Sequence, residues 1–189
     1  LQGLSRGSGI NGENITHTVK KIKNLPMTIP YKGFLEIRGE AVIPWKYYNE
    51  MSNNEPLGHP RNVCSGALRQ LNANEAEKRN ICFYAFSLVN WREVQWDDGK
   101  TMWSKRETLE FLKYNGFDVV PHVSFTDFND GGDDNGYVLK NEVLPTLNRE
   151  TYENPTDGWV FEYDDLEYGE SLGSTEHHDR KMFALKPAI

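Results

Sequence analysis

The chain has 189 residues, of which 38% are hydrophobic and 12% aromatic, and its formal net charge is -7. That content is enough to bury a core and excludes a disordered segment. The acidic balance argues against this segment gripping duplex DNA through its overall field, although a phosphate pocket needs only a few local cations. Cys64 and Cys82 have no metal-ligand spacing and are too few for a disulfide framework, so free, buried thiols in a reducing cytosol are expected. No apolar run reaches transmembrane length, and the start carries no signal-peptide pattern. The length suits one domain or a large piece of a longer protein, and the missing initiator Met reads as a processed product or an excised fragment.

In chain order, SRGSGINGENIT (5–16) is Gly-rich and polar, a loop feeding a helix near 14–23. GFLEIRGEAVI (33–43) alternates, which predicts a strand with Glu36, Arg38 and Glu40 on one face. Pro44 ends it and opens a helix over 44–51. ICFYAFSLV (81–89) has the β-branched and aromatic content of a buried strand. SKRETLEFLKYNGF (104–117) reads as a helix with a Ser cap, Glu107 three residues on and Gly116 at its end. VVPHVSF (119–125) predicts a short strand. The acidic loop DFNDGGDDNG (127–136) has the wrong glycine and glutamate positions for an EF-hand calcium loop. A helix follows from 137 to about Leu144, disturbed at Pro145, then strands over 158–164 and 182–188. No internal repeat or linker is visible. The mixture predicts an α/β or α+β domain as one compact unit.

Several polar residues fall where strand ends and glycine loops set the rim of a cavity. In HPRNVCSGALRQL (59–71), Arg61 follows a Pro-led loop and Arg69 lies about two helical turns on. The small residues between them would let a backbone or ligand approach closely, and arginines so placed can hold a phosphate or carboxylate. Arg6 lies in RGSG, where backbone amides and a guanidinium can meet an anion. Glu40 ends a strand on its charged face, where it can accept hydrogen bonds from a ribose. Asp157 directly precedes Gly158. Lys186 interrupts the apolar FALKP, where an inward-facing lysine would need a partner. His177 and His178 would point to opposite sides of a strand and so do not suit one metal ion. These residues point to an anion-binding pocket without specifying a reaction.

Taken together and in this order, SRGSGINGENIT, FLEIRGEAV, HPRNVCSGALRQL, ICFYAFSL, KYNGFDVVP, DGWVFEY and LGSTEHHDRKMFALKPA resemble the adenylation domain of NAD-dependent DNA ligases. The resemblance covers essentially the whole chain. It implies an α+β nucleotidyltransferase (ATP-grasp-like ligase) core, with mostly antiparallel sheets flanking a nucleotide cleft. It also implies roles: Arg6, Glu40, Arg61 and Arg149 around the nucleotide, Glu40 holding the ribose, and Arg69 reaching the phosphates of nicked DNA. Asp157 belongs to the D-G strand motif associated with metal and phosphoryl transfer, and Lys186 stabilises the transferred phosphate. The implied cofactors are NAD and Mg²⁺. The implied partners are nicked duplex DNA, engaged through the complete protein, and NAD or AMP, with no membrane. The implied setting is a monomer in the bacterial cytosol or a viral factory.

The same resemblance implies that 1–189 is one adenylation domain, truncated at its N-terminal side and ending before an OB-fold. The family's nucleophilic lysine lies in a K-x-D-G motif upstream of the RGxG block, which this chain does not contain; the chain alone is therefore expected to be inactive. Two further departures stand out. Ser8 replaces a carboxylate in the usual RGDG, and Glu162 replaces a lysine after the D-G motif. A glutamate facing phosphates at about 4 Å would cost roughly 1 to 4 kcal/mol in solvent-like surroundings. On that reading Glu162→Lys should raise adenylation. The alternative is a catalytically degenerate module of the same fold that binds nucleotides or DNA ends.

Overall fold

The computed structural model describes residues 1–7, 11–124, 152–175 and 179–186. The chain divides into two units, Leu1–Val120 and Pro121–Ile189. The expected acidic loop, the helix after 137, Ser8, Arg149, His177 and His178 all lie outside the described residues.

The first unit is organised on an antiparallel pair, β1 (Ile37–Val42) and β2 (Cys82–Leu88). Glu36, Arg38 and Glu40 are all exposed, so the alternation read from the sequence holds. The strand begins later than expected, and Asn90 is the reason. Its side-chain oxygen accepts from Glu36 N–H at 2.8 Å, and its amide donates to the Phe34 carbonyl at 3.0 Å. The ladder therefore ends where a side chain takes over the pairing. A bulge between Arg38 and Gly39 leaves Phe86 unpaired in β2.

The outer edge of β2 is also satisfied. Lys23 N–H donates to Ile81 O at 2.8 Å, and the Asn24 amide exchanges hydrogen bonds with Phe83 at 2.7 and 2.8 Å. Ala85 bonds Asp118 and Val120 through one parallel bridge at Val119. Of the strand expected over 119–125, this single bridge is what the described residues form.

Helices cover the pair. α1 (Thr16–Val19), α2 (Trp45–Ser52), α3 (Pro60–Leu68) and α4 (Ala73–Lys78) precede β2, and α5 (Lys105–Tyr114) follows it. α3 packs on β1 around a core of Ile22, Ile43, Cys64, Ala67, Ala76 and Ile81. α5 packs on β2 with Leu109, Phe111 and Leu112 buried. It starts with a full capping box between Ser104 and Glu107 and ends at Gly116, φ +85°, as its sequence predicts. α4 escaped the sequence reading because its buried face is one alanine, Ala76.

The second unit holds β3 (Trp159–Glu162) and β4 (Met182–Leu185), paired antiparallel, with α6 (Leu166–Ser171) between them in sequence. Asp165 caps α6 by accepting from Tyr168 N–H at 2.8 Å. Phe161 and Phe183 stack at 4.9 Å on one face of the ribbon. Both described sheets are antiparallel pairs beside separate helices, so the class is α+β rather than α/β.

Candidate functional site

Arg6 sits on an exposed hairpin closed by paired contacts across its base. Ser5 N–H donates to Glu13 O at 3.0 Å, Glu13 N–H to Ser5 Oγ at 3.0 Å, and Ile15 N–H to Gly3 O at 3.0 Å. Gly7 turns there at φ +53°, and a Cβ on it would stand 2.8 Å from the carbonyl carbon of Asn11, so only glycine fits. The hairpin leads into α1, whose side chains fix the far end of α3. Thr18 Oγ1 donates to Leu68 O at 2.8 Å, and His17 Nε2 lies 2.8 Å from Gln70 O. Arg69 caps α3, and its Nε stands 3.1 Å from Glu13 Oε2. The segments bearing Arg6 and Arg69, remote in sequence, are thus tied together through Glu13. Both members of the pair are more than half exposed, so it orients more than it stabilises.

Arg61 lies in the first turn of α3 rather than on a loop. Pro60 occupies the first helical position, and His59 Nδ1 accepts from Arg61 N–H at 3.3 Å. The small residues that follow continue the helix, and a Cβ on Gly66 would meet nothing within 4 Å. Cys64 and Ala67 face the core, while Ser65 and Gly66 are exposed. Cys64 Sγ lies 3.2 Å from Ala41 O and anchors α3 to β1 next to Glu40. Burial pushes the Cys64 thiol up to about 12, with the Glu40 carboxylate the next contribution. That thiol is protonated and inert at neutral pH. Both cysteines are free and buried, as expected. Glu40 itself projects from the exposed face of β1.

In the second unit, the register that pairs Trp159 with Leu185 brings Gly158, next to Asp157, opposite Lys186. Gly158 has φ +156°, and a Cβ there would stand 3.1 Å from the Leu185 carbonyl carbon and from Lys186 Cα. The glycine lets β3 close on β4 at that level. Lys186 is exposed and so needs no buried partner, since β4 is exposed over most of its length. Glu162, by contrast, keeps only 15% of its side chain exposed and pairs with Lys181, Nζ to Oε1 at 3.7 Å. Neither Glu13 nor Lys181 was identifiable as a partner beforehand. Their roles follow from the hairpin closure and the β3–β4 register, which a single sequence does not display.

These features define an α+β protein that presents arginines, carboxylates and a lysine on exposed helix, hairpin and strand ends, a composition suited to phosphate-bearing ligands. Comparison with known sequences narrows that class. The pattern of the NAD-dependent DNA ligase adenylation domain matches residues 1–188, and the chain belongs to that family. It is 37% identical to a DNA ligase of Ruminiclostridium cellulolyticum and 38% identical to one of Lachnoclostridium phytofermentans, over 98% of this chain in each case. A DNA ligase of Bacillus mycoides is 34% identical over the same share. The chain spans 27% of the length of each of these relatives.

Proposed function

We propose that this chain is the nucleotidyltransferase core of an NAD-dependent DNA ligase whose complete form seals nicks in DNA repair and replication. A lysine amine of the complete protein attacks the α-phosphorus of NAD and NMN leaves, giving an AMP-lysine phosphoramidate. A 5′-phosphate oxygen at the nick then takes the AMP and frees the lysine. The 3′-hydroxyl attacks that phosphate, forms the phosphodiester and releases AMP. The single observation carrying this reading is the adenylation-domain match over residues 1–188.

Such chemistry needs positioning and positive charge around a transferring phosphoryl group. On this reading Arg6 and Arg61 address the nucleotide, Glu40 its ribose and Arg69 DNA phosphate. Arg149 joins the nucleotide set. Lys186 and Asp157 serve phosphoryl transfer. Among the described residues, no group of three or more His, Cys, Asp or Glu gathers to hold a metal ion. Mg²⁺ typically binds through substrate phosphates plus one or two carboxylates, so Asp157 with the nucleotide fits it. When bound, the ion offsets charge on the phosphates. We further read 1–189 as one adenylation domain of a cytoplasmic monomer, with the DNA clamp supplied elsewhere.

Intact-mass analysis of the full-length protein with Mg²⁺ and either NAD or ATP tests this reading. A gain of one AMP with NAD alone is expected. Gain with ATP alone moves the protein to the ATP-using branch, and gain with neither favours a nucleotide-binding module. Arg61→Ala and Lys186→Ala should each abolish or severely reduce AMP transfer. Near-normal transfer would remove those residues from the site.

A further inference from the structure

Glu162, which stands where a negative charge should hinder phosphate binding, is met by a cation from the neighbouring strand. The register Glu162↔Met182 continues one step further, with Tyr163 N–H donating to Lys181 O at 3.1 Å. By strand alternation Lys181 starts on the face that carries Phe161, Phe183 and Tyr163. Glu162 belongs to the other face, with Val160 and Ala184, and Lys186 falls on that same face at the Gly158 end. The Lys181 side chain nevertheless crosses to Glu162, bringing its Nζ to 3.7 Å from Oε1.

Its course is built into the fold. The stem runs over Gly169 of α6, where an added Cβ would stand 3.3 Å from Lys181 Cβ and 3.7 Å from its Cδ. At 3.7 Å the pair is longer than a charge-assisted hydrogen bond of about 2.7–2.9 Å. It directs the ammonium by Coulombic attraction. A lysine has three N–H donors, so it can serve a third group while Glu162 aims it.

We propose that Lys181 is a second phosphate-binding cation of this ribbon, aimed onto the Lys186 face by Glu162 and by the gap at Gly169. Lys186 and Lys181 then address one ligand face from two ends, their backbone positions about 17 Å apart along the strand. Lys186 and Glu162 alone sum to 0, and Lys181 brings the net charge of the three groups to +1. Glu162→Lys is therefore no longer expected to raise adenylation, because it would set a second ammonium against Lys181. This inference rests on the nucleotide-binding reading above and deepens it.

The test is calorimetric binding of AMP and of adenosine, separately, to the full-length protein. Lys181→Met keeps the packed stem and removes only the charge. AMP affinity should fall about tenfold in K181M while adenosine affinity stays within twofold, and Lys181→Arg should recover most of the loss. Thermal melting of each variant reports folding; if K181M fails to fold, K181R against wild type carries the test, with near-wild-type AMP binding expected. Equal loss of AMP and adenosine would mean a structural lysine and would overturn the proposal, as would unchanged AMP binding in K181M. If Lys186→Ala erases the preference for AMP over adenosine while K181M does not, the Lys181 assignment alone fails. If the wild-type protein binds neither probe, the nucleotide reading fails and takes this proposal with it.

Discussion

Gly158→Ala offers a quantitative test of how the second unit sets Asp157 beside Lys186. The backbone at Gly158 has φ +156°, which L-residues rarely adopt, and its Cα faces the Leu185 carbonyl. A methyl group there meets the carbonyl carbon and Lys186 Cα at 3.1 Å, both backbone atoms that a rotamer change cannot move. Overpacking costs about 1–3 kcal/mol, and a strained backbone angle about 1–3 kcal/mol more. The substitution should therefore weaken the β3–β4 ladder by roughly 2–6 kcal/mol. At about 1.4 kcal/mol per decade, protection of its amides against hydrogen exchange should drop at least about 30-fold. Exchange is the right assay because a chain in two units need not unfold in one step. AMP transfer should fall along with protection. Ladder protection within threefold of wild type in G158A would refute the argument, since β4 would then be free to move away without cost.

Three other substitutions probe the remaining features. Gly66→Ala in α3 meets nothing within 4 Å and should stabilise that helix by about 0.5–1 kcal/mol in thermal or denaturant melts; destabilisation would restore the expectation of a close approach there. Glu107 has its carboxyl held below the usual value of 4.5, first by the Trp103 N–H and then by the other capping-box groups. Because the folded-state value is the lower one, its contribution is present above about pH 4.5 and is lost as pH falls through the depressed value. The melting-temperature gap between wild type and Glu107→Gln should accordingly narrow on acidification, and a gap constant down to pH 3 would be the contrary result. Asn154 is 2% exposed, with neither amide atom hydrogen-bonded among the described residues. Asn154→Leu should raise stability by about 1–3 kcal/mol in the same melts, and a loss would mean that the amide is satisfied after all.

Local chemistry made much of the domain readable without coordinates. The capping box and terminal glycine of α5 are contacts within one segment, so Ser104, Glu107 and Gly116 announce the helix by themselves. Alternation did the same for Arg38 and Glu40 on β1, because a strand's two faces follow from the pleat alone. The ordered motifs were also enough to place the chain in its family.

What the tertiary structure decided concerns partners remote in sequence. Asn90 ends β1 from 54 residues away, and Glu13 meets Arg69 only because the hairpin and α1 dock on the end of α3. The run from Val63 to Ala67 read as a tight approach because small residues permit either a turn or a helix, and burial of Cys64 and Ala67 chose the helix. Glu162 posed the same kind of ambiguity. Its charge was visible in the sequence, but the cation that answers it depends on the register between two strands some twenty residues apart, which only the closed ribbon specifies.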